Sequence, residues 1–202
     1  MEKYIWSLDV STTNLGSSLW DKSGKLIELK HLELKLGKNI NVEERDMHKA
    51  NLFKIYCLEY KKRIESEFSG EISHIIIEEP IGGSTNAFTV AMLNAFNGMC
   101  RYILYDVFGI IPMKISVHES RKLFLPEFVH TKREKGKIVE VLSFPDEWKK
   151  EKKEYIRQKV AMLEPQIEWF YDKNGKIKDT SFDMSDSYCV GHAGLRLLRI
   201  IK

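Results

Sequence analysis

The sequence predicts a mixed α/β domain on a five-stranded sheet, antiparallel at one side and parallel at the other, with helices on its faces. Three short apolar runs joined by polar turns open the chain, which reads as an antiparallel meander. Two long segments with apolar residues at steps of three and four follow, each trailed by a strand-like run, which reads as helical crossovers. Between them Ile75-Ile76-Ile77 lacks polar alternation, as expected of a central strand covered on both faces.

In order, residues 4–10 form a buried strand and 11–14 a polar turn. Residues 15–21 and 25–34 make two more strands around the turn at Asp21-Lys-Ser-Gly24. A helix over about 43–68 buries Met47, Ala50, Phe53, Cys57, Tyr60, Ile64 and Phe68, and Gly70 stops it. A strand over 72–78 ends before Pro80 and Gly82-Gly83. The next helix, about 85–108, is apolar round much of its circumference, so the first helix or a second subunit must cover the excess. Residues 110–117 form a strand and 118–124 a short helix. Residues 126–147 are the least regular and read as a basic insertion or mobile loop. A charged helix over about 148–164 is ended by Pro165, Asn174-Gly175 turns a small hairpin, and a last helix spans about 182–201.

The 202 residues suit one domain, 1–202, and 43% hydrophobic with 30% charged residues supports a packed core. No stretch approaches the roughly 20 apolar residues of a membrane span. The N-terminus lacks a signal-peptide pattern, so a cytoplasmic location is expected. Cys57, Cys100 and Cys189 fit no zinc spacing and read as buried reduced thiols, and the six histidines make no metal pair. The net charge of +3 alone implies no partner. Lysines and arginines are dense over 130–159, interrupted by acids. A solvated, ion-paired face and a phosphate-contacting surface both fit this pattern. Candidate DNA contacts are Lys149, Lys150, Lys152, Lys153 and Arg157, with Lys114, Arg121 and Lys122 near the end of the fifth strand.

Four acids stand where a metal-dependent nuclease needs them. Asp9 ends the first apolar run and Glu78 ends Ile75–Ile77. Asp183 and Asp186 open the last helix on the stripe continued by Val190, Ala193, Leu197 and Ile200. Individually each has a plainer reading: a turn aspartate for Asp9, a cap or first-turn acid for Asp183, a surface acid for Asp186. Glu78 and Glu79 point to opposite faces of their strand, so only one faces any site. Together the four offer the hard oxygens that two divalent cations about 4 Å apart require. Carboxylates so gathered repel one another until cations or protons arrive, so weak stability of the site without Mg²⁺ is expected. His192 lies roughly 240° round the helix from Asp186 and reads as a surface or packing residue.

These motifs resemble the RuvC-type Holliday junction resolvases of the RNase H-like superfamily. Ile5-Trp-Ser-Leu-Asp9-Val-Ser-Thr-Thr-Asn-Leu-Gly16 is similar to their opening strand with its catalytic aspartate, small-residue turn and glycine. Ile77-Glu78 resembles the pair that ends their fourth strand, and Asp183-Met-Ser-Asp186 their closing Asp-x-x-Asp. The resemblance implies an RNase H-like fold and two Mg²⁺ ions, with Mn²⁺ able to substitute, held by Asp9, Glu78, Asp183 and Asp186. It implies a nucleoid-associated homodimer that nicks a four-way DNA junction symmetrically, leaving 5′-phosphate and 3′-hydroxyl ends. It selects Glu78 over Glu79. Bacterial members carry an aromatic residue three places past this glutamate, where this chain has Ile81. Phe88 is a substitute by position, although core packing is its plainer role. With the long 126–147 stretch and the Lys/Ile/Asn-rich composition, these departures point to a phage or mobile-element version. Other readings stay open: a nuclease of the same fold on other branched DNA or RNA–DNA hybrids, a non-catalytic branched-DNA binder, or a kinase or ATPase of the actin-like fold. The last shares the Asp9-Val-Ser-Thr-Thr-Asn-Leu-Gly16 pattern but needs a second, similar domain.

Overall fold

The computed structural model describes residues 1–37, 40–41, 44–80, 86–134 and 136–202. The expected helix start at Glu43, the Gly82-Gly83 break, Ile81 and Lys135 lie outside them. The main sheet comprises β1 (Glu2–Val10), β2 (Asn14–Asp21), β3 (Leu26–Glu33), β4 (Gly70–Glu79) and β5 (Met113–Ser116), ordered β3-β2-β1-β4-β5. The first three are antiparallel, and β4 and β5 run parallel to β1. This is the mixed sheet the sequence predicts.

The two faces bury different residues of the same strands, as period-two alternation dictates. On one face Trp6, Leu8, Ile75 and Ile77 pack beneath α1 (Arg45–Glu67) and α2 (Ala87–Phe108). Trp6 stacks on Tyr60 of α1 at 4.4 Å. On the other face Ile5, Trp20, Ile76 and Ile115 pack beneath α5 (Asp179–Leu197), with α3 (Val117–Phe124) and α4 (Lys152–Leu163) beside it.

Several elements differ from expectation for identifiable reasons. Met47 is 66% exposed, so the buried stripe of α1 begins at Ala50. β5 is four residues long because Pro112 precedes it and Ser116 already caps α3, its Oγ accepting from Glu119 N at 3.2 Å. Phe88, expected in the core, is 72% exposed at the start of α2. It shares one side of that helix with exposed Met92 and Tyr102. Within the 126–147 stretch, β6 (Val129–Glu134) and β7 (Lys137–Leu142) form a separate antiparallel hairpin where irregular chain was expected. Its alternation is hidden in the sequence because cations and acids fill most outward positions. The charged helix expected over about 148–164 is α4, which starts only at Lys152, behind a 3-10 turn at Asp146–Trp148. The last helix begins at Asp179, so Asp183 lies one turn inside it and is no cap, and it ends at Leu197, which is 45% exposed rather than core. The three cysteines are free and buried, and no helix among the described residues is long and apolar enough to cross a membrane.

Candidate active site

One row of cross-strand partners builds the floor of the site. His31 of β3 pairs with Gly16 of β2, Gly16 with Asp9 of β1, and Glu78 of β4 with Ile115 of β5. The parallel register Leu8–Ile77 sets Asp9 beside Glu78. Partners in a row point to the same face, here the face beneath α5. Glu79 points to the opposite side, where its Oε1 accepts from Lys114 Nζ.

Helix α5 crosses this row at Gly16. A Cβ there would meet the Asp183 carbonyl oxygen at 1.9 Å, so only glycine lets helix and strand approach so closely. The next turns are equally tight. Ser7 and Ser18 hydroxyls donate to the Ser187 carbonyl at 3.2 and 3.0 Å, and a Cβ at Gly191 would reach Ser7 Oγ at 2.3 Å. The stripe Asp183, Ser187, Gly191, Gly194 therefore seats the helix on the sheet and brings Asp183 and Asp186 to Asp9 and Glu78. This small-residue stripe was legible at steps of four and three, yet the sequence reading followed the apolar stripe through Val190 and Ala193 instead.

The electrostatics match a forced gathering of acids. Burial, then Asp186 and Asp183, push Asp9 up to about 8. Burial, then Asp9 and Asp186, push Glu78 well above its ordinary value. Two cations offset the cluster. Arg121 Nη2 donates to Asp186 Oδ1 at 3.2 Å, and Lys153 Nζ lies 3.2 Å from Asp186 Oδ2. Burial works against both charges, but Asp186 and the neighbouring acids outweigh it, and both cations are held above their ordinary values.

The sequence reading missed His31. Its Nε2 lies 3.5 Å from Asp183 Oδ2, and both atoms are buried without a hydrogen bond. A lone histidine on a polar strand carries no signal until the register puts it in the row. His192 packs edge-on to the Phe124 ring at 5.2 Å. Burial, with Arg196 and Lys159, lowers it to about 4, as suits a packing residue.

The candidate DNA contacts divide. Arg121 and Lys153 join the acids. Lys114 and Lys152 line a cleft of about 660 Å³ beside them, with Arg101, His118, Asn97 and Arg121. Arg157 is clamped by Glu154 at 2.6 and 2.8 Å and lies over Trp169, Lys149 pairs with Asp146 at 2.5 Å, and Lys150 is exposed. Lys122 is half-buried on α3 and does not line the cleft.

Among the described residues, no three His, Cys, Asp or Glu side chains already converge as an ion cage. The Asp186 carboxylate faces Arg121 and Lys153 instead. The donor set still fits hard divalent cations: Asp183 Oδ2 is buried without a hydrogen bond, with His31 Nε2 3.5 Å away and able to orient the carboxylate, and Asp9 and Glu78 are held at raised values that a cation would relieve.

No family model matches the sequence, and no curated protein does. Solved structures do match. The RuvC structure of Thermus thermophilus is 12% identical, with a TM-score of 0.56 over 97% of this chain and 95% of that one. T. thermophilus RuvC in complex with a Holliday junction substrate gives 12% identity and a TM-score of 0.58 over 97% and 94%. The likeness covers nearly all of both chains, and this chain has a RuvC-like fold of the RNase H-like kind.

Proposed function

We propose that this chain is a metal-dependent endonuclease that cuts four-way DNA junctions by paired symmetric nicks. The observation that carries the reading is the forced meeting of Asp9, Glu78, Asp183 and Asp186 from two strands and a helix, beside a cationic cleft. RuvC of T. thermophilus, which shares the fold, is solved in complex with a Holliday junction substrate.

Asp9, Glu78, Asp183 and Asp186 are the residues that would hold two Mg²⁺ ions, and those ions would supply activation of a water and stabilisation of the leaving 3′ oxygen. Strand ends and a helix wedged on Gly16 keep the carboxylates from drifting when their charges repel. Arg121 and Lys153 balance the cluster before ions arrive, and are then placed to contact the scissile phosphate. Lys114, Arg101 and Lys152 line the route of its strand. Asn97 Nδ2 donates to the Glu78 carbonyl at 3.0 Å and fixes that strand end. The whole chain is read as one nuclease domain acting in the cytoplasm or nucleoid. A homodimer is the reading for the exposed Phe88, Met92 and Tyr102 side of α2.

The test is cleavage of labelled four-way junction, fork, linear duplex and RNA–DNA hybrid, with and without Mg²⁺. Paired symmetric nicks confined to the junction are expected. Asp9→Asn and Glu78→Gln are expected to bind junction without cutting it. Cleavage of the hybrid alone overturns the reading in favour of a different nuclease of the same fold.

A further inference from the structure

Among the described residues, the β6–β7 hairpin pairs with neither edge of the main sheet. Its base is fixed by an aromatic cluster: Phe128 lies 5.4 Å from Phe144 and 5.0 Å from Tyr155, and Trp148 lies 5.2 Å from Tyr155. Beyond this base β6 is exposed from His130 to Glu134. The hairpin is thus an anchored arm with an exposed end.

Its register assigns its two faces. Cross-strand pairs Val129–Leu142, Thr131–Glu140 and Arg133–Ile138 share one face. Leu142 lines the cationic cleft together with Phe144 and Arg121, so this face is turned to the cleft mouth. Ile138 lies four residues from Leu142, ~14 Å along the strand. It is 76% exposed, and its direct cross-strand partner is the exposed Arg133. On the other face Lys132 is matched by Glu134 at 2.8 Å.

We propose that this arm contacts the branch point of the DNA, with Ile138 packing on base faces that open there and Arg133 holding the adjacent phosphate. The inference rests on the nuclease reading above. DNA is the occupant that fits the charge, because the face continues from a cleft lined by Arg101, Lys114, Arg121 and Lys152. A branch point fits better than a continuous arm for two reasons. Uninterrupted duplex shows an apolar side chain little but sugar and groove edges, whereas an opened step offers base faces to an inserted Ile. Glu140, midway along the same face, would repel a phosphate backbone laid along the ribbon, which leaves the Arg133–Ile138 pair as the contact.

The full chain is compared with Ile138→Ser and Arg133→Ser, both at exposed positions. Anisotropy with labelled four-way junction and sequence-matched duplex is read across a salt series without Mg²⁺. Ile138→Ser is expected to lose about tenfold in junction affinity with little change on duplex. Arg133→Ser is expected to weaken both and to lower the salt slope by about 1. If the wild type binds and cuts junctions and both variants bind them equally well, this inference falls and the nuclease reading stands. The inference also falls if Ile138→Ser alters only the monomer–dimer balance in sedimentation, because the face then serves a second copy. A wild type that binds no branched DNA overturns both.

Discussion

Gly16 and Asp183 touch backbone to strand: a Cβ on Gly16 would lie 1.9 Å from the Asp183 carbonyl oxygen and 2.6 Å from its carbonyl carbon. Neither neighbour is a flexible side-chain end, so even a methyl group must lift α5 or bend β2. Gly16→Ala is therefore expected to cost about 1–3 kcal/mol, a fall of roughly 2–12 °C in Tm. It is also expected to shrink the stabilisation by Mg²⁺, because Asp183 moves away from Asp9. An alanine variant with wild-type Tm and wild-type Mg²⁺ response would show that the contact is slack.

Asp9 gives the pH dependence its sign. Its value of about 8 in the fold lies above the ordinary 3.8, so the folded protein binds this proton more tightly than the unfolded chain. Its contribution to stability is fully present below about pH 4 and is lost as pH rises through about 8. Glu78 is raised too, and acts in the same direction. In EDTA, the Tm of the wild type is expected to fall between about pH 5 and pH 8, and Asp9→Asn to lie above it at pH 8. Saturating Mg²⁺ should remove the wild-type decline. A variant melting below the wild type in EDTA at pH 8 would mean that the acids do not repel.

How much of this was legible depended on whether the determining contacts were local. Ile75–Ile77 announced a doubly covered strand, and Asp9 and Glu78 stood at the ends of strands that the pattern identified. The row joining His31, Gly16, Asp9 and Glu78 was not legible, because register is a property of three strand pairings and no single segment encodes it. The hairpin escaped because what holds it, Phe128, Phe144, Trp148 and Tyr155, flanks it rather than alternating within it. Arg121 was read as a phosphate contact from its place near the end of the fifth strand, and Lys153 from the charge cluster around it. That they also face Asp186 follows from α3 and α4 packing against α5.

Arg121 tests the balance of charge in the cluster. The Asp186 side chain is 7% exposed, and Arg121 is its more buried partner. Arg121→Gln leaves Lys153 as the remaining cation, at a cost of about 1–3 kcal/mol without metal. Because Mg²⁺ supplies the lost positive charge, its stabilising effect is expected to exceed that in the wild type. The measurement is Tm against Mg²⁺ concentration for both proteins. Equal Mg²⁺-induced shifts would separate Arg121 from the ion site.

His31 and Asp183 present the last relationship open to test. His31 Nε2 and Asp183 Oδ2 lie 3.5 Å apart, buried and otherwise unpartnered. A small rotation of either side chain closes a hydrogen bond, which would aim the other Asp183 oxygen toward Asp9. Partners of this kind orient a ligating carboxylate, and their loss weakens metal binding by about 10–100-fold. His31→Ala is expected to raise the Mg²⁺ concentration at half-maximal thermal stabilisation by that order. His31→Gln, which keeps an NH donor at comparable reach, is expected to restore much of it. The same ranking should appear in Mn²⁺ binding followed by the loss of the free-ion electron paramagnetic resonance signal, which needs no turnover. If alanine and glutamine variants bind Mn²⁺ as the wild type does, His31 is a packing residue that only happens to face Asp183.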